Sequence, residues 1–221
     1  MRETAVADRA GIGVGDIGRS GGGFFGGGQD DGAGAWRTPR RVYVTGMLIA
    51  LSAIAMFFVA MVSAAVVRRG APSADWQPLV VSGWLWRILS LNTLVLLGSS
   101  ATMLYARSRA RVGDEDEFRK WWIVTSVLGV CFLGGQLLAW RQLVAAGLYL
   151  ATNPSSSFFY LITAAHGVHL AGGIVALLVV AFRPARRMAR STAVEITSMY
   201  WHAMDALWIF LFLFLVTGGR R

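Results

Sequence analysis

The chain has a single cysteine, Cys131, so no disulfide framework can brace it. A lone cysteine inside an apolar run is expected to act as a small packing residue. Histidine is almost as scarce at three residues, and charged side chains of both signs make up only 15% of the chain. Proline occurs five times, at positions 39, 72, 78, 154 and 184, never inside a long apolar run. These scarcities exclude a disulfide-stapled secreted scaffold and leave little charge to cover a soluble domain. The net charge of +9 does not imply nucleic acid, because the arginines sit at the ends of apolar runs and form no single basic face.

What the chain has in abundance is apolar length. Hydrophobic residues make up 55% of the 221 and the mean hydropathy is +0.54. Runs free or nearly free of Lys, Arg, Asp and Glu cover about 42–67, 80–106, 121–145, 157–182 and 196–218. Each reaches the ~20 residues needed to cross ~30 Å of hydrocarbon. They are too long for ordinary strands and lack the alternation of a membrane barrel, and lipid demands that every backbone polar group be satisfied internally. The expected fold is therefore an all-α membrane protein, a bundle of five transmembrane helices over 37–221.

Positive charges set the expected orientation. With a cytoplasmic N-terminus, the inner side receives Arg37, Arg40, Arg41, Arg107, Arg109, Arg111, Arg119, Lys120, Arg183, Arg186, Arg187 and Arg190, whereas the outer side receives Arg68, Arg69, Arg87, Arg141, Arg220 and Arg221. That excess predicts the N-terminus inside and the C-terminus outside. The acidic run Asp114 to Glu117 reads as a solvated inner loop. Residues 1–36 read as a flexible glycine-rich cytoplasmic tail: no apolar secretory core follows the early arginines, and the glycines are followed by no GK[ST] phosphate-binding ending.

Polar residues within the runs are the informative ones, because a mid-helix Asp or Arg costs ~2.5–3.5 kcal/mol in lipid. They are Asn92 and Thr93 in the second run, Gln136 in the third, His166 and His169 in the fourth, and His202 and Asp205 in the fifth, with Glu195 at its entrance. The pairs 166/169 and 202/205 are three apart, which puts each pair on one helix face. The fourth and fifth runs are joined by a short loop and are expected to be antiparallel neighbours, and equal depth suggests a hydrogen bond from His169 to Asp205. Thr163, Gly167 and Ala171, extended by Gly172 and Gly173, form a small-residue row suited to close helix packing. Three readings fit this set: a metal site, a proton path, or a buried polar network that holds helix register.

The flanking residues carry a resemblance. "NPSSSFFYLITAAHGVHLAGG" followed by "YWHAMDALWIFLFLFL" resembles subunit III of the haem-copper terminal oxidases, the cytochrome c oxidase type. The family pattern F-Y-x-x-T-x-x-H-G-x-H-x-x-x-G is filled by Phe159, Tyr160, Thr163, His166, Gly167, His169 and Gly173. Its last-helix pattern is met by Tyr200, Trp201, His202, Asp205, Trp208 and Phe212. Upstream, "LNTLVLLGSS" and "GQLLAW" resemble further family segments in the same order.

This resemblance implies a non-catalytic subunit of a proton-translocating oxidase in a bacterial inner membrane. No catalytic, cofactor or metal site is expected on the chain. Haem and copper would lie in partner subunits, with subunit I in direct contact, subunit II and a small subunit IV in the same complex, and phospholipid bound. On that basis the buried network becomes the leading reading of His166, His169, Glu195, His202, Asp205, Asn92, Thr93 and Gln136. The resemblance also marks two departures. Mitochondrial members have seven helices against the five here, and a family intramembrane glutamate is replaced by Ala53 or Ile54 in "LSAIAMFFVA".

Candidate lipid contacts are Trp121, Trp122 and Trp201 with Arg183, Arg186 and Arg187, since indoles and guanidinium groups favour the headgroup level. The alternatives are the subunit III homologue of a quinol oxidase or nitric oxide reductase complex and, from another class, a small proton-coupled transporter. The transporter reading lacks the internal repeat and the central helix breaks of that class.

Overall fold

A computed structural model describes residues 40–71, 83–150, 153–182 and 187–218; side chains of 187–190 and 218 are excluded from description. The glycine-rich tail lies outside the described residues. The described residues form five helices: α1 (Arg40–Gly70), α2 (Gly83–Val112), α3 (Glu115–Ala145), α4 (Pro154–Phe182) and α5 (Arg187–Gly218). All five are long and apolar enough to span a membrane.

The helices outrun the apolar segments at several ends. The shortest has 29 residues and the longest 32, about 43 to 48 Å at 1.5 Å per residue, against ~30 Å of hydrocarbon. Charged residues stop an apolar run without stopping a helix, so α2 continues through Arg107, Arg109 and Arg111. The acidic run is not a loop. Asp114 caps α3 by accepting the Glu117 amide at 3.2 Å, and Glu115, Asp116 and Glu117 form its first turn. Carboxylates there face the positive end of the helix dipole. Gly113 at φ +87° makes the tight turn between α2 and α3, and Gly147 at φ +77° follows the end of α3.

Successive helices run antiparallel, and α2, α3, α4 and α5 close into a ring in which each packs on the next and α5 returns to α2. Their shared core includes Leu89, Leu96, Met103, Phe132, Leu170, Trp201 and Trp208. α1 lies outside that ring against α4 and α5 and makes no contact with α2. It buries the smallest share of its span, 17% against 39% for α3 and α4. Its anchor is Phe58, which forms a second cluster with Ile162 and Leu211.

Small residues permit this packing, though not as a single row. Gly167 meets Leu133 on α3, whereas Gly173 faces Tyr200 and Trp201 on α5 and Gly172 faces open space. The tightest positions are on α3. A Cβ on Gly129 would stand 2.6 Å from the Trp201 ring, and one on Gly135 would overlap the Asn92 amide. Gly129→Ala is therefore expected to destabilise the bundle by ~1–3 kcal/mol through overpacking. Gly98→Ala, where no atom lies within 4 Å of the new methyl, should leave stability unchanged or raised; thermal unfolding in detergent compares the two.

Candidate functional site: an intramembrane polar seam

The polar side chains are organised by the antiparallel contact between α2 and α5. Every seventh residue of α2, two turns apart, meets α5. Trp86 packs edge-on to Phe212, with centroids 6.0 Å apart. Thr93 accepts the Trp208 indole N–H at 3.1 Å. Ser100 Oγ lies 2.8 Å from His202 Nδ1. Arg107 Nη1 donates to Ser198 Oγ at 3.2 Å. Beside this ladder, Trp201 Nε1 donates to Ser99 Oγ at 3.1 Å.

His202 and Asp205 thus share the α5 face turned to α2. Ser100 also lies against the Asp205 carboxyl. Asp205 is buried, and neither carboxylate oxygen nor His202 Nε2 has a well-formed hydrogen bond among the described residues.

His166 occupies a different place. It is fully buried where α1, α3 and α5 meet α4, with its ring 5.1 Å from Trp208, 5.9 Å from Phe132 and 6.5 Å from Phe58 between centroids. Neither ring nitrogen has a hydrogen-bond partner among the described residues. His169 turns toward α1 instead: its Nδ1 lies 2.8 Å from the Ala165 carbonyl oxygen, and its ring is 5.6 Å from Phe58. The expected His169–Asp205 hydrogen bond is therefore absent. Three residues rotate an α-helix by about 300°, so the two histidines diverge by about 60°. That offset is enough to point one into the core and the other at α1.

The remaining predicted positions divide between helix pairs. Asn92 Nδ2 donates to the Phe132 carbonyl at 3.3 Å, tying α2 to α3. Gln136 is buried on α3, and its amide has no partner among the described residues. Glu195 belongs to neither histidine: Arg40 grips it with two bonds, Nε to Oε2 at 2.7 Å and Nη2 to Oε1, joining the starts of α1 and α5. The three histidines consequently do not converge. Among the described residues no group of three or more His, Cys, Asp or Glu could hold a metal ion.

Two of the indoles expected at the lipid surface lie in the core. Trp122 is fully buried and donates to the Leu177 carbonyl on α4 at 2.8 Å, and Trp201 is fully buried against Ser99. Burial of an indole requires a partner for its N–H, and the facing helices provide one. Only Trp121 keeps a partly exposed position, with its N–H on Glu117 at 2.9 Å and its ring edge-on to Tyr105. Arg183 and Arg186, and the side chain of Arg187, lie outside the described residues.

Sequence reasoning missed the cross-bundle role of these indoles. Trp140 adds another, donating to Thr163 at 3.1 Å between α3 and α4. A hydroxyl pair, Thr102 and Thr125 at 2.8 Å, joins α2 to α3. The available signal was the number of small hydroxyl residues inside the apolar runs.

The fold and seam define a class: a five-helix membrane bundle whose interior polar groups mostly cross-link helices. Residues 40–219 match the family model described as cytochrome c oxidase subunit III. A probable cytochrome c oxidase subunit 3 of Mycobacterium bovis is 32% identical over 170 residues, covering 76% of this chain and 83% of the relative. The cytochrome c oxidase subunit 3 of Thermostichus vulcanus is 32% identical over 176 residues, covering 78% and 85%. That of Synechocystis is 29% identical over 172 residues, covering 76% and 72%. The chain belongs to the cytochrome c oxidase subunit III family.

The seam's energetic role is measurable. Intramembrane hydrogen bonds average ~0.6 kcal/mol and reach ~1.7 kcal/mol in double-mutant cycles. A Thr93→Val and Trp208→Phe cycle, read by unfolding in mixed micelles, should give a favourable coupling of that order. A Ser52→Ala and Trp208→Phe pair should give none, because Ser52 is exposed on α1 and bonds only its own helix, at the Leu48 carbonyl.

Proposed function

We propose that this chain serves as an accessory, non-catalytic subunit III of a proton-translocating haem-copper oxidase in a bacterial inner membrane, supporting the haem-bearing subunit I by helix packing and lipid binding. The observation that carries the reading is the use of the intramembrane polar groups. Most of those with a partner bond another helix or their own backbone: Thr93, Ser100, Asn92, Trp122, Trp140 and Trp201 each connect two helices. Among the described residues, no nucleophile, base and oxyanion donor are gathered around a common point. Each of the five described helices runs without interruption, which also supports packing over transport, because transporter sites are usually built from interrupted helices at midplane.

Orientation follows from charge and from helix direction. α1, α3 and α5 run one way and α2 and α4 the other, so residues 40 and 218 lie at opposite ends. The positive excess at Arg40, Arg107, Arg109 and Arg111 supports placing that end in the cytoplasm. Haem and copper belong, in this reading, to subunits I and II, and dioxygen is reduced there.

Affinity purification in mild detergent, followed by a visible spectrum and mass identification, tests the proposal. Haem absorbance and a co-purifying subunit I are the expected result, and a pure chain without haem-bearing partners overturns it. Oxidation of reduced cytochrome c by the complex supports a cytochrome c oxidase. Turnover with quinol but not cytochrome c, or reduction of nitric oxide, assigns the chain to the corresponding relative.

A further inference from the structure

Four buried polar atoms stand at one level of the bundle interior without a hydrogen-bond partner among the described residues: Nδ1 and Nε2 of His166, and Oε1 and Nε2 of Gln136. His166 is fully buried and Gln136 is 3% exposed. The packing of α3 on α4 sets the two side chains opposite each other. Phe132, one turn before Gln136, has its ring 5.9 Å from that of His166, and Trp140, one turn after, donates to Thr163 at 3.1 Å. Because the helices run antiparallel, the α3 position midway between these contacts faces the α4 segment 163–166. Leu133 against Gly167 keeps the same register.

The neighbouring protein groups are already engaged. Thr163 Oγ1 accepts from Trp140 and donates to the Phe159 carbonyl at 2.7 Å, and Thr93 Oγ1 accepts from Trp208 and donates to the Leu89 carbonyl at 2.8 Å. The other groups against His166 are the rings of Phe58, Phe132 and Trp208. Depth removes bulk solvent as well. Gln136 and His166 lie three to four residues from the midpoints of the apolar runs 121–145 and 157–182. Both are displaced toward the same side, about 5 Å from the bilayer centre.

The donor set names the ligand. An uncharged imidazole presents one donor and one acceptor, and a carboxamide presents both. A molecule that joins them must donate and accept, and neither side chain offers a charge to attract an ion. It must also be small, because the rings close on one another, with the Phe132 and Trp208 centroids 4.8 Å apart. Water meets all three conditions, and buried waters typically sit where two to four otherwise unsatisfied polar groups converge.

We infer that Gln136 and His166 hold one water molecule between them, which ties α3 to α4 beside the aromatic cage. The amide can turn either its oxygen or its N–H group toward that water, so the site serves either imidazole tautomer. The inference goes beyond the accessory role proposed above and applies to the bundle whatever complex the chain joins.

Electron cryomicroscopy of the whole purified complex, at a resolution that shows ordered water elsewhere in it, tests the assignment. An isolated density peak is expected ~2.7–3.2 Å from one His166 nitrogen and from one Gln136 amide atom. Gln136→Leu should lose the peak with Phe132 and Trp208 unmoved. A wild-type map without the peak overturns the inference, as does an imidazole bonded directly to the amide.

The melting temperature of the full chain in mixed micelles gives a second reading that survives if the Leu variant fails to assemble. Gln136→Met is nearly isosteric. If each polar group stood alone, removing the amide would relieve a buried unsatisfied group and raise the melting temperature; with a shared water, its removal strands His166 and the temperature falls. Adding His166→Phe to Gln136→Met should then cost little more, because the two side chains act as a unit. A rise on Gln136→Met, or fully additive losses in the double variant, overturns the inference.

Discussion

Hydrocarbon offers no hydrogen-bond partner, and the interior of this bundle is arranged around that deficit. Each buried indole N–H needs an acceptor, and in α3 and α5 the acceptor is a hydroxyl or a carbonyl on a facing helix. The same bonds that satisfy these groups fix how far one helix has slid along another. On α2 the requirement recurs every two turns, so Thr93, Ser100 and Arg107 act as register marks along α5. Apolar packing alone would not discriminate between neighbouring registers, since lipid tails are as apolar as leucine.

The seam also accounts for the shape of the bundle. With α5 held against α2 by the ladder and against α4 by Tyr200, which donates to the His169 carbonyl at 2.8 Å, α1 has a narrower hold. Phe58 enters between α4 and α5, and Arg40 reaches Glu195 at one end. Two helices that share a neighbour without meeting leave an open strip. A chain with a larger residue at Gly129 or Gly135 could not bring Trp201 or Asn92 so close to α3, and the ring of four helices would open.

The resemblance in motif, the family match and the geometry agree at the level of architecture and differ in what they say about individual residues. His166 lies in a cage of aromatic rings, His169 turns to α1, and His202 belongs to the α2 seam. Residues close in sequence and alike in chemistry therefore have three separate environments. Their i, i+3 spacing is compatible with shared function, but helix rotation and the positions of three neighbours decide otherwise.

Helix number, their apolar cores and the buried status of Asn92, Gln136, His166 and Asp205 were legible from hydropathy, because the cost of exposing backbone and charge to lipid is local and large. Glu195 was legible as a residue of interest, but its partner Arg40, 155 positions away, was not. Nor was the burial of Trp122 and Trp201: an indole suits a headgroup and a satisfied core equally well by composition. The choice depends on whether a hydroxyl or carbonyl from another helix stands within reach of its N–H. Local transfer energies select the helices, whereas partner identity is a three-dimensional distance that only the assembled bundle sets.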